Sequence, residues 1–284
     1  MVWTALCKSL RLAWRCQAFK PPNLLLAPTL KPDTLPVLPQ WSGAKVFCTT
    51  RAGGASLSPF DSFNLGDHVG DLPAAVFNNR QLLAFQLHQR AVFMRQVHGN
   101  VVAQLHHDTP DGQQADACFT SEAGVACTIM VADCLPILFY SPAKKVVAAA
   151  HVGWRGLAGV SGQGGVLEAT RRALRSCAAL QDVKVWLGPC IGPQAFEVGE
   201  EVRQAFVAQD PLSVCAFQPL AASGQYLCDL AQLARLQLAK WPVGAIEGND
   251  STPSWCTFSN PSVFFSYRRD GLTGRFAAGI GLLD

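Results

Sequence analysis

With 284 residues, 49% of them hydrophobic and 15% charged, the chain can bury a sizeable core in one or two domains and does not have the composition of a disordered protein. A formal net charge of +3, with Lys and Arg dispersed singly or in pairs such as Lys144-Lys145, argues against nucleic acid as a partner. No apolar run is long enough to cross a bilayer, so no membrane partner is expected.

Eleven cysteines is an odd number, and Cys48, Cys118 and Cys127 sit inside apolar, strand-like runs. Reduced thiols in a cytoplasmic protein account for this better than a disulfide scaffold. Residues 1–38 differ from the rest: Lys8, Arg11, Arg15, Lys20 and Lys31 accompany a single acid, Asp33, and Pro21-Pro22 breaks any helix. This reads as a poorly ordered N-terminal extension before one domain over 39–284, with organelle targeting left open beside the cytoplasmic reading.

From Trp41 onward, short β-rich runs alternate with a few amphipathic helices, and no low-complexity linker divides them. Lys45 to Thr50 predicts a strand leading into Arg51-Ala-Gly53-Gly54, a turn whose glycines allow positive φ and close backbone approach to a ligand. Pro73 opens a helix with Ala75, Val76, Leu82, Leu83 and Leu87 at helical spacing. Ala91–Met94, Val101–Leu105, Val125–Val131, Ile137–Tyr140 and Val146–Ala150 predict strands, several apolar on both faces and so covered on both. Helices are expected over Val166–Leu180, Val198–Val207 and Leu227–Leu238, with strands at Val183–Leu187 and Phe276–Leu282. Clustered strands with singly inserted helices indicate an α+β fold: mixed β-sheets flanked by helices.

Three polar segments follow apolar runs: Gln96-Val-His98-Gly, Ala132-Asp133-Cys134-Leu-Pro136 and His151-Val-Gly-Trp154-Arg155-Gly156. Each places one His or Cys where a buried strand emerges, and two imidazoles with one thiolate make a zinc site whose fourth position stays open. Asp133, Asp116 and Gln96 are near these ligands in sequence and are candidates to fix them, although Asp116 also fits a turn. Arg155 is read either as a ligand for a polar substrate group or as half of a surface ion pair. Cys134 has two readings of its own. It is a metal ligand, or a nucleophile activated by His151 with Asp116 or Asp133 behind it.

These segments, together with Arg51-Ala-Gly53-Gly54, Ser62-Phe-Asn64-Leu-Gly66, His68-Val-Gly70-Asp71, Leu187-Gly-Pro-Cys-Ile191-Gly-Pro, Phe196-Glu197-Val-Gly and Phe265-Ser-Tyr267-Arg268-Arg269-Asp-Gly-Leu-Thr-Gly-Arg275, resemble the laccase-domain family. That family includes purine nucleoside phosphorylases, formerly called polyphenol oxidases, and peptidoglycan editing factors. The likeness runs in order from about Pro39 to the C-terminus. Val152, where Ala is commoner, and Phe63, where Leu is common, are its small departures.

The resemblance implies a single α+β domain with zinc held at His98, Cys134 and His151. It also implies phosphorolysis of adenosine, inosine, guanosine and methylthioadenosine, and deamination of adenosine, with purine nucleosides and phosphate as partners. In that setting Arg51 and the Gly53-Gly54 backbone are expected to cradle phosphate, Arg155 or Arg268 to add charge, and Asn64 and Gln96 to bind substrate. Asp133 is the expected acid/base group, with Cys134 and Arg155 beside it. Editing of peptidoglycan precursors by a Cys-dependent hydrolase or amidase is the alternative, and a binding protein with a degenerate pocket a further one.

Copper is not expected. A multicopper oxidase needs His-X-His pairs and more imidazoles than the six histidines here, among which only His106-His107 are adjacent. Oligomeric state has no signature in the sequence.

Overall fold

A computed structural model describes residues 37–159 and 164–283, so the expectation for the N-terminal extension lies almost wholly outside the described residues. In chain order the first half contains β1 (Ala44–Cys48), α1 (Pro73–Leu87), β2 (Arg90–Phe93), β3 (Val102–Gln104), β4 (Ala117–Thr120), β5 (Val125–Val131), β6 (Leu135–Ser141) and β7 (Val146–Val152). The second half contains α2 (Trp154–Ala158), α3 (Val166–Cys177), β8 (Lys184–Leu187), β9 (Glu197–Gly199), α4 (Glu200–Val207), β10 (Phe217–Pro219), β11 (Gln225–Cys228), α5 (Leu230–Leu238), β12 (Ile246–Gly248), α6 (Tyr267–Asp270) and β13 (Phe276–Leu282).

The strands form three sheets. A four-stranded sheet has the order β1-β13-β5-β2, a six-stranded sheet β12-β8-β6-β7-β4-β3, and a small one β10-β11-β9. In the four-stranded sheet only β2 and β5 run parallel, and in the six-stranded sheet only the outer pairs β12/β8 and β3/β4 do. This is the mixed α+β architecture expected.

Alternation along the strands explains how the layers stack. Cys127, Ile129 and Val131 of β5 pack with Leu138 and Tyr140 of β6, Val147 and Ala149 of β7, and Ala278 and Ile280 of β13, filling the space between the two large sheets. On the far side of the six-stranded sheet, Ile137, Phe139, Ala148 and Ala150 meet Leu167 and Leu174 of α3 and Leu230 and Leu233 of α5. On the far side of the four-stranded sheet, Ala126 and Met130 meet Leu83 and Leu87 of α1. Every residue of β5, β6, β7 and β13 is buried, which is why these strands read as apolar on both faces.

Two helices start later than periodicity predicts. The segment expected as helix from Val198 begins as strand β9, paired with β11, and turns helical only at Glu200 after extended Gly199. The helix expected from Leu227 starts at Leu230, because Asp229 accepts the Gln232 N–H as an N-cap while Leu227 and Cys228 pair in β11. No helix among the described residues is long and apolar enough to cross a membrane.

Candidate active site

The site lies where β5 leaves one sheet and continues into β6 of the other. Ala132-Asp133-Cys134 makes that crossing, with Asp133 at φ +93° to turn the chain. The β6/β7 register sets His151 opposite Pro136, two residues beyond Cys134. His98 reaches the same point from the loop after β2, the parallel neighbour of β5, with its own φ at +59°.

One buried carboxylate assembles these pieces. Asp116 is 0% exposed, and its Oδ1 accepts the His98 N–H at 2.8 Å and the His151 ring Nδ1 at 2.9 Å. Its Oδ2 accepts the N–H groups of Gly99 at 2.7 Å and Val97 at 3.1 Å, and its own carbonyl accepts His151 N–H at 2.7 Å. Burial works against the Asp116 charge, yet the His151 hydrogen bond and charge and these backbone donors hold its carboxyl below the usual range. Nδ1 of His151 is thereby committed to Asp116, and Nε2 is left to face the cluster.

The ligand atoms of His98, Cys134 and His151 all lie within 4.8 Å of one another, a spacing that can hold a metal ion. Cys134 Sγ is 3.7 Å from His98 Nε2, and the two imidazole rings meet edge to face at 4.7 Å. Gly153 makes the approach possible, since a Cβ there would sit 3.1 Å from Cys134 Sγ and 3.3 Å from His98 Cδ2. Burial disfavours the Cys134 thiolate, but the His151 charge and hydrogen bonds from both imidazoles outweigh it and bring the thiol down to about 6. Burial likewise disfavours the His151 cation, and the thiolate and Asp116 carry it up to about 9. These are two faces of one Cys134–His151 ion pair, and with His98 beside it the soft thiolate and two imidazoles make a donor set that could hold a metal ion.

The cluster opens into a cleft of about 530 Å³. Arg155, Arg268 and Arg275 give its wall a cationic character, His68 adds an imidazole, Trp154, Phe196, Ile191, Leu230 and Tyr267 supply apolar surface, and among the described residues Asp133 is the one carboxylate. Asp133 Oδ1 accepts the Thr257 hydroxyl at 2.6 Å and Oδ2 the Arg268 N–H at 2.7 Å, so this carboxylate fixes the α6 turn at the rim. Arg268 lies over Phe196 and donates to the Glu197 carbonyl at 2.9 Å, while Arg155 is exposed and lies over Trp154.

Of the residues singled out from sequence, His98, Cys134, His151, Asp133, Gln96, Arg155 and Arg268 meet in this cleft. Gln96 has its amide committed, donating to the Met130 carbonyl at 2.8 Å and accepting the Met130 N–H at 2.9 Å. Arg51, Gly53 and Gly54 do not line the cleft. The Arg51 guanidinium donates to the carbonyls of Asp61 and Pro261, each at 3.0 Å, and stacks on Phe265. Gly54 is required for packing, because a Cβ would fall 2.3 Å from the Ser62 carbonyl oxygen. Asn64 is also outside, fully buried and accepting the Arg275 N–H at 2.8 Å. His68, Arg275 and Tyr267 line the cleft without having been assigned roles; their presence in the quoted motifs was the only signal.

Comparison with known proteins gives the chain its relatives. A family profile described as multi-copper polyphenol oxidoreductase laccase matches residues 45–283. The chain is 47% identical to a purine nucleoside phosphorylase of Pseudomonas aeruginosa and 45% identical to purine nucleoside phosphorylase YfiH of Escherichia coli, in each case over 87% of this chain and 98% of the relative. Among solved structures it resembles Neisseria meningitidis protein NMB0706, with a TM-score of 0.79 at 39% identity over 88% of this chain and 98% of that one. It also resembles YlmD from Geobacillus stearothermophilus, with a TM-score of 0.75 at 33% identity over 89% and 94% of the two chains. The chain belongs to the family described as multi-copper polyphenol oxidoreductase laccase.

Proposed function

We propose that the chain is a zinc-dependent purine nucleoside phosphorylase acting on adenosine, inosine, guanosine and methylthioadenosine, with adenosine deamination as a second activity. The observation that carries this reading is the His98, Cys134 and His151 cluster opening into a cleft with cationic and aromatic walls. The naming of relatives at 45–47% identity as purine nucleoside phosphorylases supports it.

Zinc suits the donor set better than copper. Two imidazoles and a thiolate also occur in blue-copper sites, but those add a weak axial Met, Gln or backbone oxygen, and the Gln96 amide bordering this cleft is committed to the Met130 backbone. The methionine bordering this cleft, Met130, has its sulfur 3.8 Å from Arg80 Nη2 and packs toward α1, away from the cluster. His98, Cys134 and His151 would hold a zinc ion, which would supply Lewis acidity and the means to activate a water.

The chain's own residues do the rest. Trp154, Phe196 and Tyr267 offer flat surfaces for a purine, and Arg155 and Arg268 bind polar groups of the nucleoside. In phosphorolysis an oxygen of hydrogen phosphate bonds to C1′ as the N-glycosidic bond breaks, the electron pair of that bond leaves with the purine, and the proton that the phosphate gives up ends on the purine. Holding both reactants in one cleft supplies the proximity term, and the fixed cations offset charge in the transition state. Asp133, the one carboxylate of the wall among the described residues, is assigned proton transfer in deamination. Product analysis with adenosine, with and without phosphate, tests the reading: adenine with ribose 1-phosphate marks phosphorolysis, and inosine marks deamination.

One observation favours a second reading. Cys134, His151 and Asp116 stand in the order nucleophile, base and orienting acid, with the thiol already drawn down to about 6. That arrangement suits a Cys-dependent hydrolase or amidase acting on peptidoglycan precursors. Tightly bound stoichiometric metal excludes it, and activity of metal-free protein abolished by alkylation at Cys134 requires it.

A further inference from the structure

Arg275 stands apart from the other cations of the cleft wall. Arg268 is held by the Glu197 carbonyl and Phe196, and Arg155 is exposed. Arg275 is partly buried, and its Nη1 donates to the Thr273 and Gly274 carbonyls, each at 3.0 Å. Among the described residues no hydrogen bond occupies its Nε or Nη2, and no carboxylate lies within the 4.0 Å of an ion pair. The Tyr267 ring covers it at 5.9 Å. Burial lowers the Arg275 pKa, and the charges of Cys134 and Asp133, neither within ion-pair distance, offset it only in part, so this partly buried guanidinium has its Nε and Nη2 edge open to an anion.

His68 is built onto the same wall. Leu65 N–H donates to the Arg275 carbonyl at 3.0 Å, and Asn64 Oδ1 accepts both the Arg275 N–H at 2.8 Å and the Gly66 N–H at 2.9 Å. Gly66 leaves room for the Arg275 stem, since a Cβ there would lie 2.8 Å from Cγ. The Nδ1 edge of His68 faces Asp67 at 3.5 Å, and Asp67 is itself drawn to Arg80 at 3.3 Å. Among the described residues the Nε2 edge has no such partner. Burial and then the Arg275 charge lower the His68 pKa, a mutual repulsion that an anion between the two reverses.

We infer that Arg275 and His68 form the seat of the phosphate co-substrate. Phosphate there accepts charge-assisted hydrogen bonds from the planar guanidinium and from Nε2 of a His68 ring that takes up a proton as the anion binds, beside the cluster that Cys134 completes. The seat takes the place of the Arg51-Gly53-Gly54 turn expected from the sequence. It rests on the phosphorylase reading above.

The test uses the full chain loaded with zinc, inosine as nucleoside and inorganic phosphate as the varied probe. Kinetics are paired with the thermal shift that phosphate alone induces. Arg275→Met should raise the phosphate KM about tenfold or more, and His68→Gln severalfold, with the inosine KM changed by less than about twofold. The phosphate-induced shift should shrink in the same order, and Arg275→Lys should recover part of both. His68 sits on an exposed turn, so its variant carries the test should Arg275→Met fail to fold. A phosphate KM and thermal shift unchanged from wild type in these variants overturns the seat, whatever happens to kcat. Wild-type protein that neither turns over inosine with phosphate nor responds to phosphate alone overturns the phosphorylase reading as well.

Discussion

The Asp116 carboxylate and the His151 ring, 35 residues apart in sequence, are joined by a 2.9 Å hydrogen bond with both side chains buried, at 0% and 5% exposure. The same carboxylate accepts the backbone N–H groups of Val97, His98 and Gly99. One residue that does not ligate therefore sets both the tautomer of His151 and the path of the loop bearing His98.

Replacing Asp116 with Asn turns an amide toward donors that need an acceptor. Metal affinity, measured by chelator competition, should fall roughly 10–100-fold, the usual effect of losing an orienting partner. Stability of the metal-free protein in denaturant titration should fall by about 3 kcal/mol, because buried donors lose their partner. Metal affinity as in wild type would remove Asp116 from this role.

Gly153→Ala separates ligand geometry from folding. The backbone there, at φ −81° and ψ 173°, accepts any residue, but the new methyl meets Cys134 Sγ at 3.1 Å and His98 Cδ2 at 3.3 Å. The expected result is weakened metal binding, with metal-free stability within about 1 kcal/mol of wild type. Equal metal affinity in the two proteins would show that the ligands do not close on a common ion.

Protonation gives a further check. In metal-free protein the Cys134 thiolate forms as pH rises through about 6, so alkylation of Cys134 should show a midpoint there and not near 9. His151 keeps its proton up to about 9. Between those limits Cys134 is already ionised and His151 is not yet neutral, so metal binding must expel the His151 proton and affinity should rise with pH across the interval. Flat affinity from pH 6 to 9 in calorimetric titrations would contradict the coupling.

Arg51→Ala addresses the phosphate cradle expected from sequence. Because its guanidinium satisfies the Asp61 and Pro261 carbonyls, the variant should lose about 1–3 kcal/mol of stability with little change in phosphate KM. A sharp rise in that KM at wild-type stability would restore Arg51 to the site.

Much of the fold was legible because burial on both faces leaves a plain trace: β5 and β13 occupy the residues their apolar runs mark. Helices α4 and α5 were misplaced at their starts because the preceding residues pair with strands distant in sequence, which local periodicity cannot register. That His98, Cys134 and His151 meet was readable from where the apolar runs before them end. Asp116 was ambiguous, since its partners lie 17–19 residues before it and 35 after. Arg51-Ala-Gly53-Gly54 looked ready for a ligand, yet the turn is closed by Ser62 and Asn79. Arg275 and Asn64 meet across 211 positions, so the wall they build with His68 has no local signature.

The most direct test of the account is product analysis of protein of known metal content mixed with adenosine, with and without inorganic phosphate. The account predicts one zinc per chain, and adenine with ribose 1-phosphate formed only when phosphate is present, both lost in His98→Ala and His151→Ala. Phosphate-dependent adenine release at the wild-type rate by protein stripped of metal, or by those variants, would contradict it.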